Sequence, residues 1–519
     1  MGLLPIRNLL SGINISLLKN MKILKVIFVF CFLTAFVLML SQCANDKKES
    51  IPEIVNTACY PDAVGKIFVE KCATSGCHNT TSKDAAAGLD LSSWDKLFNG
   101  SRGGSAVIPY SADQSFLVNF INTYSDLNSG ISQLPTMPNN GTPLSRDEVQ
   151  TVINWINDGA PDCNGKRLTD DRGQKKFYIT NQGCDLVSVW DADRKVIMKY
   201  IKVGGDPNLI ESPHKVAVSP DGKNWYVSFT GTNAKYFQKY RTSDDSLIGT
   251  VEIGFGSWNT FAFSPDSKWA YIPNYNSNDG RVAVVDCETM TMRNDNFLSA
   301  TQNPFSPGFD CVKPHGSYIS PDGQYLYLTM QEDNYIYKID LTGPHPDGIA
   351  IHHFPVGSSK PHELVFSPDG TIYFVTCQGS NDVLIFRVSD DTFLKQINVG
   401  VDPVEMSFSH LKPYLFVTCM AGNAVSIINY QDTTLVKTIN TLGDFYYPHG
   451  VLVDDAHNVC YIVNRNVDAA GGPPPHHTSI CDPSKKNGYL LAIDLNTLEI
   501  ISGFKPELSI DPYSIAITK

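Results

Sequence analysis

Positive charge is scarce in this 519-residue chain: 41 lysines and arginines face 53 aspartates and glutamates, a formal net charge of −12. That balance excludes a nucleic-acid partner held through phosphate contacts, which needs a basic face. Membrane-spanning length is missing too. The apolar run at 26–40 has 15 residues, with Thr34 its only polar member, short of the ~20 that cross a bilayer. No nucleophile triad, phosphate-cradling glycine loop or spaced carboxylate pair stands out, so acyl transfer, phosphoryl transfer and glycoside cleavage have no residues to rest on. Histidine is almost absent from the first third, where His78 is the only one between residues 51 and 166.

What is present begins with export. Lys22 and Lys25 precede the 26–40 run, and Leu40-Ser41-Gln42-Cys43 ends it before a polar stretch. A short basic region and a 7–15-residue apolar core make a secretory signal, and Met21 opens a complete one without residues 1–20. The 40–43 stretch resembles a bacterial lipobox, with Gln42 in place of the usual small residue. The resemblance implies lipidation of Cys43 and a mature chain tethered to a membrane in an oxidising, periplasmic or cell-surface space. A plain N-terminal anchor is the alternative. The length predicts more than one domain, divided as 1–43 for the signal, 51–163, a linker at 164–174, and 175–519.

Within 51–163, Cys72-Ala73-Thr74-Ser75-Gly76-Cys77-His78 sets two thiols and an imidazole close together. Covalent haem needs two thiols for the vinyl groups and an adjacent imidazole for iron, usually as C-x-x-C-H. Here four residues separate the cysteines, and the extra two must bulge at Ser75-Gly76. A zinc site, a Cys72–Cys77 disulfide and a chance cluster compete with that reading, although zinc lacks further histidines. Met137, the only methionine of the segment, lies in Leu134-Pro135-Thr136-Met137-Pro138. Proline keeps its neighbour from helical geometry, so the thioether is offered from an extended loop as an axial ligand. Ser145-Arg146-Asp147-Glu148 caps a predicted amphipathic helix running to Gly159. Cys59 and Cys163 stand at the two ends, and a disulfide between them would clasp the module.

Lys71-Cys72 to His78, Gly88-Leu89-Asp90-Leu91, Met137-Pro138 and Trp155-Ile156-Asn157-Asp158-Gly159-Ala160 resemble the planctomycete-type cytochrome c domain family. The resemblance implies a small all-α domain with haem c joined to Cys72 and Cys77, His78 and Met137 as axial ligands, and electron transfer with a redox partner protein. The widened cysteine spacing departs from the usual attachment motif.

From residue 175 a repeat takes over. Pro213-His214 leads to Ser219-Pro220-Asp221-Gly222, and Pro314-His315 and Pro361-His362 lead to equivalent turns. Trp258-Asn259 leads likewise to Ser264-Pro265-Asp266, and weaker copies start at Pro403-Val404, Pro448-His449 and Pro512-Tyr513. Alternating strand, Pro-Asp-Gly turn and aromatic-rich strand is the pattern of a propeller blade. Seven starts predict seven blades, the last completed by residues 176–203 so that the ring closes on both ends of the chain. Tyr178-Ile179-Thr180-Asn181 and Phe374-Val375-Thr376-Cys377 resemble the YVTN-repeat propellers. The whole is predicted as a multidomain protein, all-α then all-β.

The repeat brings His214, His315, His362 and His449 to one channel mouth, a tentative second site for a metal or second haem. This mouth resembles the copper-binding propeller of nitrous oxide reductase, and the haem-plus-propeller order resembles the cd-type nitrite reductases. The default reading is that Pro-His is a repeat consensus whose imidazoles bond neighbouring backbone. Three functions stay open: electron transfer with the propeller as docking module, an oxidoreductase with a channel-mouth centre, or a surface binding protein without catalysis. Insertions at 294–313 and 469–488 are expected to overhang the mouth, pinned by Cys287–Cys311 and Cys460–Cys481 pairs.

Overall fold

The computed structural model describes residues 58–519, apart from 129–131, 277–281, 294–312, 333, 343–350, 468–480 and 483. The export segment with Cys43, Cys311, and most of both predicted insertions lie outside the described residues.

Seven four-stranded antiparallel sheets make the propeller. Blade 1 spans 213–252, blade 2 262–292, blade 3 314–355, blade 4 361–398, blade 5 403–439 and blade 6 448–510. Blade 7 joins the last strand, Pro512–Ile517, to the first three, Lys176–Asn181, Leu186–Asp191 and Val196–Lys202. Ala516 pairs with Tyr178 there, so the two ends of the propeller sequence share one blade and close the ring.

Local chemistry explains each hairpin. Ser219 Oγ donates to Asp221 Oδ1 at 2.7 Å while accepting from the Asn224 amide at 3.2 Å. The same serine–aspartate bond recurs at Ser264, Ser320 and Ser367. Gly222, Gly323 and Gly370 close these turns at φ of +74°, +75° and +69°, where a side chain is strained. Aromatic rings stack within and between blades: the Phe177 ring centroid lies 5.1 Å from that of Trp190 on the next strand of its own blade and 5.1 Å from that of Tyr461 in blade 6. Buried aromatics of this size supply much of the area removed from water.

The small all-α domain expected over 51–163 is not what the chain forms. The described residues from 58 to 171 hold α1 (Asp62–Ile67), α2 (Trp94–Leu97), α3 (Phe116–Ile121) and α4 (Arg146–Asn157), and only α4 exceeds two turns. Turns and loops make up most of the rest, so the protein is mainly β. The cause is local. Helical spacing of apolar residues is sustained only through α4, whereas left-handed residues at Ala87, Gly88, Gly100, Gly104, Tyr110 and Asn140 interrupt the remainder. The α4 capping box forms as the sequence predicts, Ser145 N donating to Glu148 Oε2 at 2.9 Å and Glu148 N to Ser145 Oγ at 3.4 Å.

This segment is bonded to the propeller. Trp94, Leu97, Phe98 and Val107 share one buried core with Val196, Met198 and Val203 of blade 7. Ile197 N donates to Ser105 Oγ at 2.6 Å, which covers the outer edge of that blade. Gly104, at φ +97°, approaches so closely that a Cβ would lie 2.5 Å from that of Pro506. Cys59 and Cys163 form the predicted disulfide. The Cys460–Cys481 expectation fails: Cys481 joins Cys184, while Cys460 sits in a core strand as a buried free thiol.

Candidate functional site

Helix α1 runs into a π-helical turn, Phe68–Cys72, in which Ala73 N bonds Phe68 O at 2.7 Å. Such turns re-aim the side chains that follow. Beyond it, Cys77 N donates to Thr74 O at 3.0 Å and His78 N to Cys72 O at 3.1 Å. The last bond sets Cys72 beside His78 despite the residues between them, and Gly76 at φ +80° carries the excursion. The widened spacing is thereby absorbed in a closed loop. Cys72 and Cys77 are both free thiols, the first buried and the second exposed, so the pair does not form a disulfide.

His78 is anchored from two sides. Its carbonyl accepts from Leu91 N at 2.8 Å, and Nδ1 lies 3.3 Å from the Leu89 carbonyl. A carbonyl only accepts, so Nδ1 carries the hydrogen and Nε2 keeps a free lone pair. Burial also lowers the imidazole pKa, favouring the neutral, ligating form. Burial, and then the neighbouring Cys77, push the Cys72 thiol up to about 11. Met137 reaches the same place from its loop, its amide donating to Phe120 O at 2.8 Å at the end of α3.

Cys72, Cys77, His78 and Met137 all line one cavity of about 420 Å³. Its walls are apolar, with Phe68, Leu89, Leu91, Phe116, Leu117 and Ile121. Three successive small residues, Ala85 to Ala87, line it as well. The donor set is two thiols, an imidazole with one nitrogen free, and a thioether. It fits covalent haem with histidine–methionine ligation.

The propeller supplies a second cluster. His214, His315, His362 and His449 converge at the channel mouth together with Tyr513. Ring centroids are 3.6 Å apart for His315–His362 and His449–Tyr513, 3.9 Å for His214–Tyr513, and 6.1 Å for His362–His449. All four imidazoles are buried. Burial pushes the pKa of each down, that of His315 to about 3, so the rings are neutral. Gln182 reaches His214 Nδ1 at 3.2 Å. Backbone bonding accounts for part of the rest, His315 bonding the His362 main chain, but His214 Nε2, His315 Nδ1, His362 Nδ1 and both nitrogens of His449 lack a partner.

Two features of the mouth lie beyond the sequence reading. First, the inner strand slips register at the same place in blades 1 and 3 to 6, as at Pro361/Leu364 and Pro448/Val451. A bulge re-aims side chains, and the residues just after the Pro-X pair, Lys215, Glu363 and Glu405, join the cluster. Lys215 Nζ lies 3.2 Å from Glu405 Oε1. Burial opposes that lysine's charge, but Glu405 and Glu363 outweigh it and raise its pKa. Second, threonines hold the histidine backbone across blade boundaries. Thr180 Oγ1 donates to His214 O at 3.0 Å, Thr329 to His362 O at 2.7 Å and Thr418 to His449 O at 2.6 Å. The signal for both was in the repeat: a charged residue after Pro-X, and a threonine near the end of the second strand.

No family model matches the chain. Antigen Lp49 of Leptospira interrogans is 34% identical over 73 residues, which are 14% of this chain and 15% of that antigen; the chain thus spans about 15% of the length of the curated relative it matches. Among solved structures, a putative 6-phosphogluconolactonase of Bacteroides fragilis is 14% identical with a TM-score of 0.51, over 68% of this chain and 100% of that one. The periplasmic gluconolactonase of Pseudomonas aeruginosa is 14% identical with a TM-score of 0.50, over 67% and 99%. At this identity the likeness shows the shared fold alone.

Proposed function

We propose that the chain is an exported haem c protein that transfers electrons through the cavity at Cys72–His78, with the propeller as the module that docks a redox partner protein. The observation that carries the reading is the meeting of Cys72, Cys77, His78 and Met137 around one apolar cavity, from two stretches of chain about sixty residues apart. Cys72 and Cys77 would hold the haem through thioether bonds to its vinyl groups. His78 would offer Nε2 to the iron, with Leu89 O holding its other nitrogen and so fixing ring orientation and ligand basicity. Met137 gives a soft thioether, and the apolar wall keeps water away; both raise a reduction potential. Bound in this cavity, haem supplies a one-electron couple. The 26–43 segment supports export, and Cys43 a lipid tether at a membrane surface.

The test is maturation in a host with cytochrome c assembly machinery, followed by acid–acetone extraction and a pyridine haemochrome spectrum. Haem should stay with the protein. Cys72→Ala or Cys77→Ala should shift the haemochrome band to that of a single thioether, and the double variant should release all colour. Met137→Ala should keep the covalent haem and lower the potential. Complete extraction of colour from the wild-type protein refutes the assignment.

A further inference from the structure

The channel mouth holds more imidazole nitrogen than the protein itself satisfies. His315 Nδ1, His362 Nδ1 and both nitrogens of His449 are buried without a hydrogen-bond partner, and a buried polar atom left unpaired is destabilising. Cross-blade hydroxyls bind the main chain from which these rings enter the mouth, Thr260 serving His315 at 2.6 Å and Thr329 serving His362 at 2.7 Å.

Among the described residues, three ligand-bearing side chains come together here: the donor atoms of His315, His362 and Glu363 lie within 4.8 Å of one another. All three are less than a tenth exposed, and His315 Nδ1 is 4.0 Å from Glu363 Oε1. Lys215 is paired with Glu405 at 3.2 Å but its charge also acts on Glu363 and His315, while Arg465 is held by Asp511 through bonds of 2.7 and 3.1 Å. Burial holds the Glu363 carboxyl above the usual range against the pull of Lys215, so a bound cation takes the place of its proton.

We infer that His315, His362 and Glu363 bind one divalent first-row transition-metal ion at the mouth of the propeller channel. Two imidazoles and a carboxylate suit borderline ions such as Zn²⁺ or Fe²⁺, whereas Ca²⁺ and Mg²⁺ call for oxygen throughout. Three protein ligands leave a coordination position open to a small exogenous molecule. Metal–ligand bonds of ~2.1 Å imply donor atoms about 3.4 Å apart in a tetrahedral site, so binding contracts the cluster by modest side-chain rotation. Glu363 is the member that the Pro-His repeat alone does not contain.

Full-length, haem-loaded protein stripped with a chelator and titrated with Zn²⁺ by calorimetry tests the site. One ion per chain should bind. His362→Gln and Glu363→Gln should each weaken binding by on the order of 100-fold or more, with covalent haem content and circular dichroism unchanged. That haem content separates a failure here from a failure of the haem assignment. Zinc X-ray absorption on the wild-type protein needs no variant and should show imidazole scattering from two rings with an oxygen donor. Loss of all zinc on gel filtration overturns the inference. So does equal binding by both variants, which would place the ion elsewhere, such as His476-His477, and so does an absorption spectrum without imidazole.

Discussion

The segment at 58–171 and the propeller hold their shapes by opposite means. The propeller repeats a few cheap devices: a serine–aspartate turn, an aromatic second strand, and a hydroxyl reaching across to the next blade. Each contact is modest, and the ring makes them cooperative by closing on itself. The segment relies on contacts that occur once. Tyr60, Phe68 and Trp155 form a mutual edge-to-face cluster with centroids 5.3, 5.7 and 6.2 Å apart. Trp94 Nε1 bonds Ala160 O at 2.8 Å, and a single disulfide ties the two ends. Repeated constraints can be lost singly at small cost, while unique ones cannot.

Breaking the disulfide is the hardest test of that contrast. Cys59–Cys163 closes a loop of 104 residues, for which chain entropy gives ~4–5 kcal/mol at its upper limit. Cys59→Ser with Cys163→Ser should therefore raise amide exchange throughout 58–171 while leaving the inner strands of the blades protected. Hydrogen-exchange mass spectrometry resolves the two regions by peptide. A uniform rise across both would mean that the shared core of Trp94, Leu97 and Val196 fuses them into one cooperative unit, and the contrast would fail.

The same contrast governs what could be read from the sequence. The blades were legible because Pro-His, Ser-Pro-Asp-Gly and the aromatic strand recur, and their number and closure follow from counting starts. In the segment, the residues that meet at one cavity were legible and architecture was not. Cys72, Cys77, His78 and Met137 were singled out by the bonds such residues can make, but helix length depends on packing, and Gly100 and Gly104 show backbone shaped by contact with blades 7 and 6 respectively. The Cys184–Cys481 pairing was illegible for the same reason. It lies where the ring joins its two chain ends, at a seam that repeats nowhere else.

That seam offers the next prediction. Asp185, beside Cys184, is buried and accepts from Glu211 N at 2.9 Å and Ser212 N at 2.8 Å. Burial outweighs those donors and, with Glu211 nearby, pushes its carboxyl up to about 6. Between the unfolded value near 4 and this folded value, the native state keeps a proton that the unfolded chain has lost. Stability from this group is thus full below the window and falls as pH rises through it, by up to ~3 kcal/mol. Asp185→Asn should flatten that step in urea midpoints compared between pH 4 and pH 7. Parallel pH profiles for variant and wild type would mean that the seam is as well solvated as any turn.

The smallest effect probes a repeated device. Thr376 Oγ1 donates to Val404 O at 2.8 Å and accepts from Glu363 N at 3.0 Å. Thr376→Val keeps the shape and removes both bonds, leaving a buried carbonyl and a buried amide unpaired, for a loss of about 1–3 kcal/mol. Thr376→Ser keeps the hydroxyl and should recover most of it, as blade 1 already uses Ser228 at the equivalent position, 3.5 Å from Asn259 O. Because six other blades hold the ring, the valine variant should unfold at a lower urea midpoint with an unchanged slope, the mark of a weakened structure that still unfolds as one. A valine variant as stable as the serine variant would assign this threonine to packing alone. The bulged inner strands would then need another reason for holding their histidines in line.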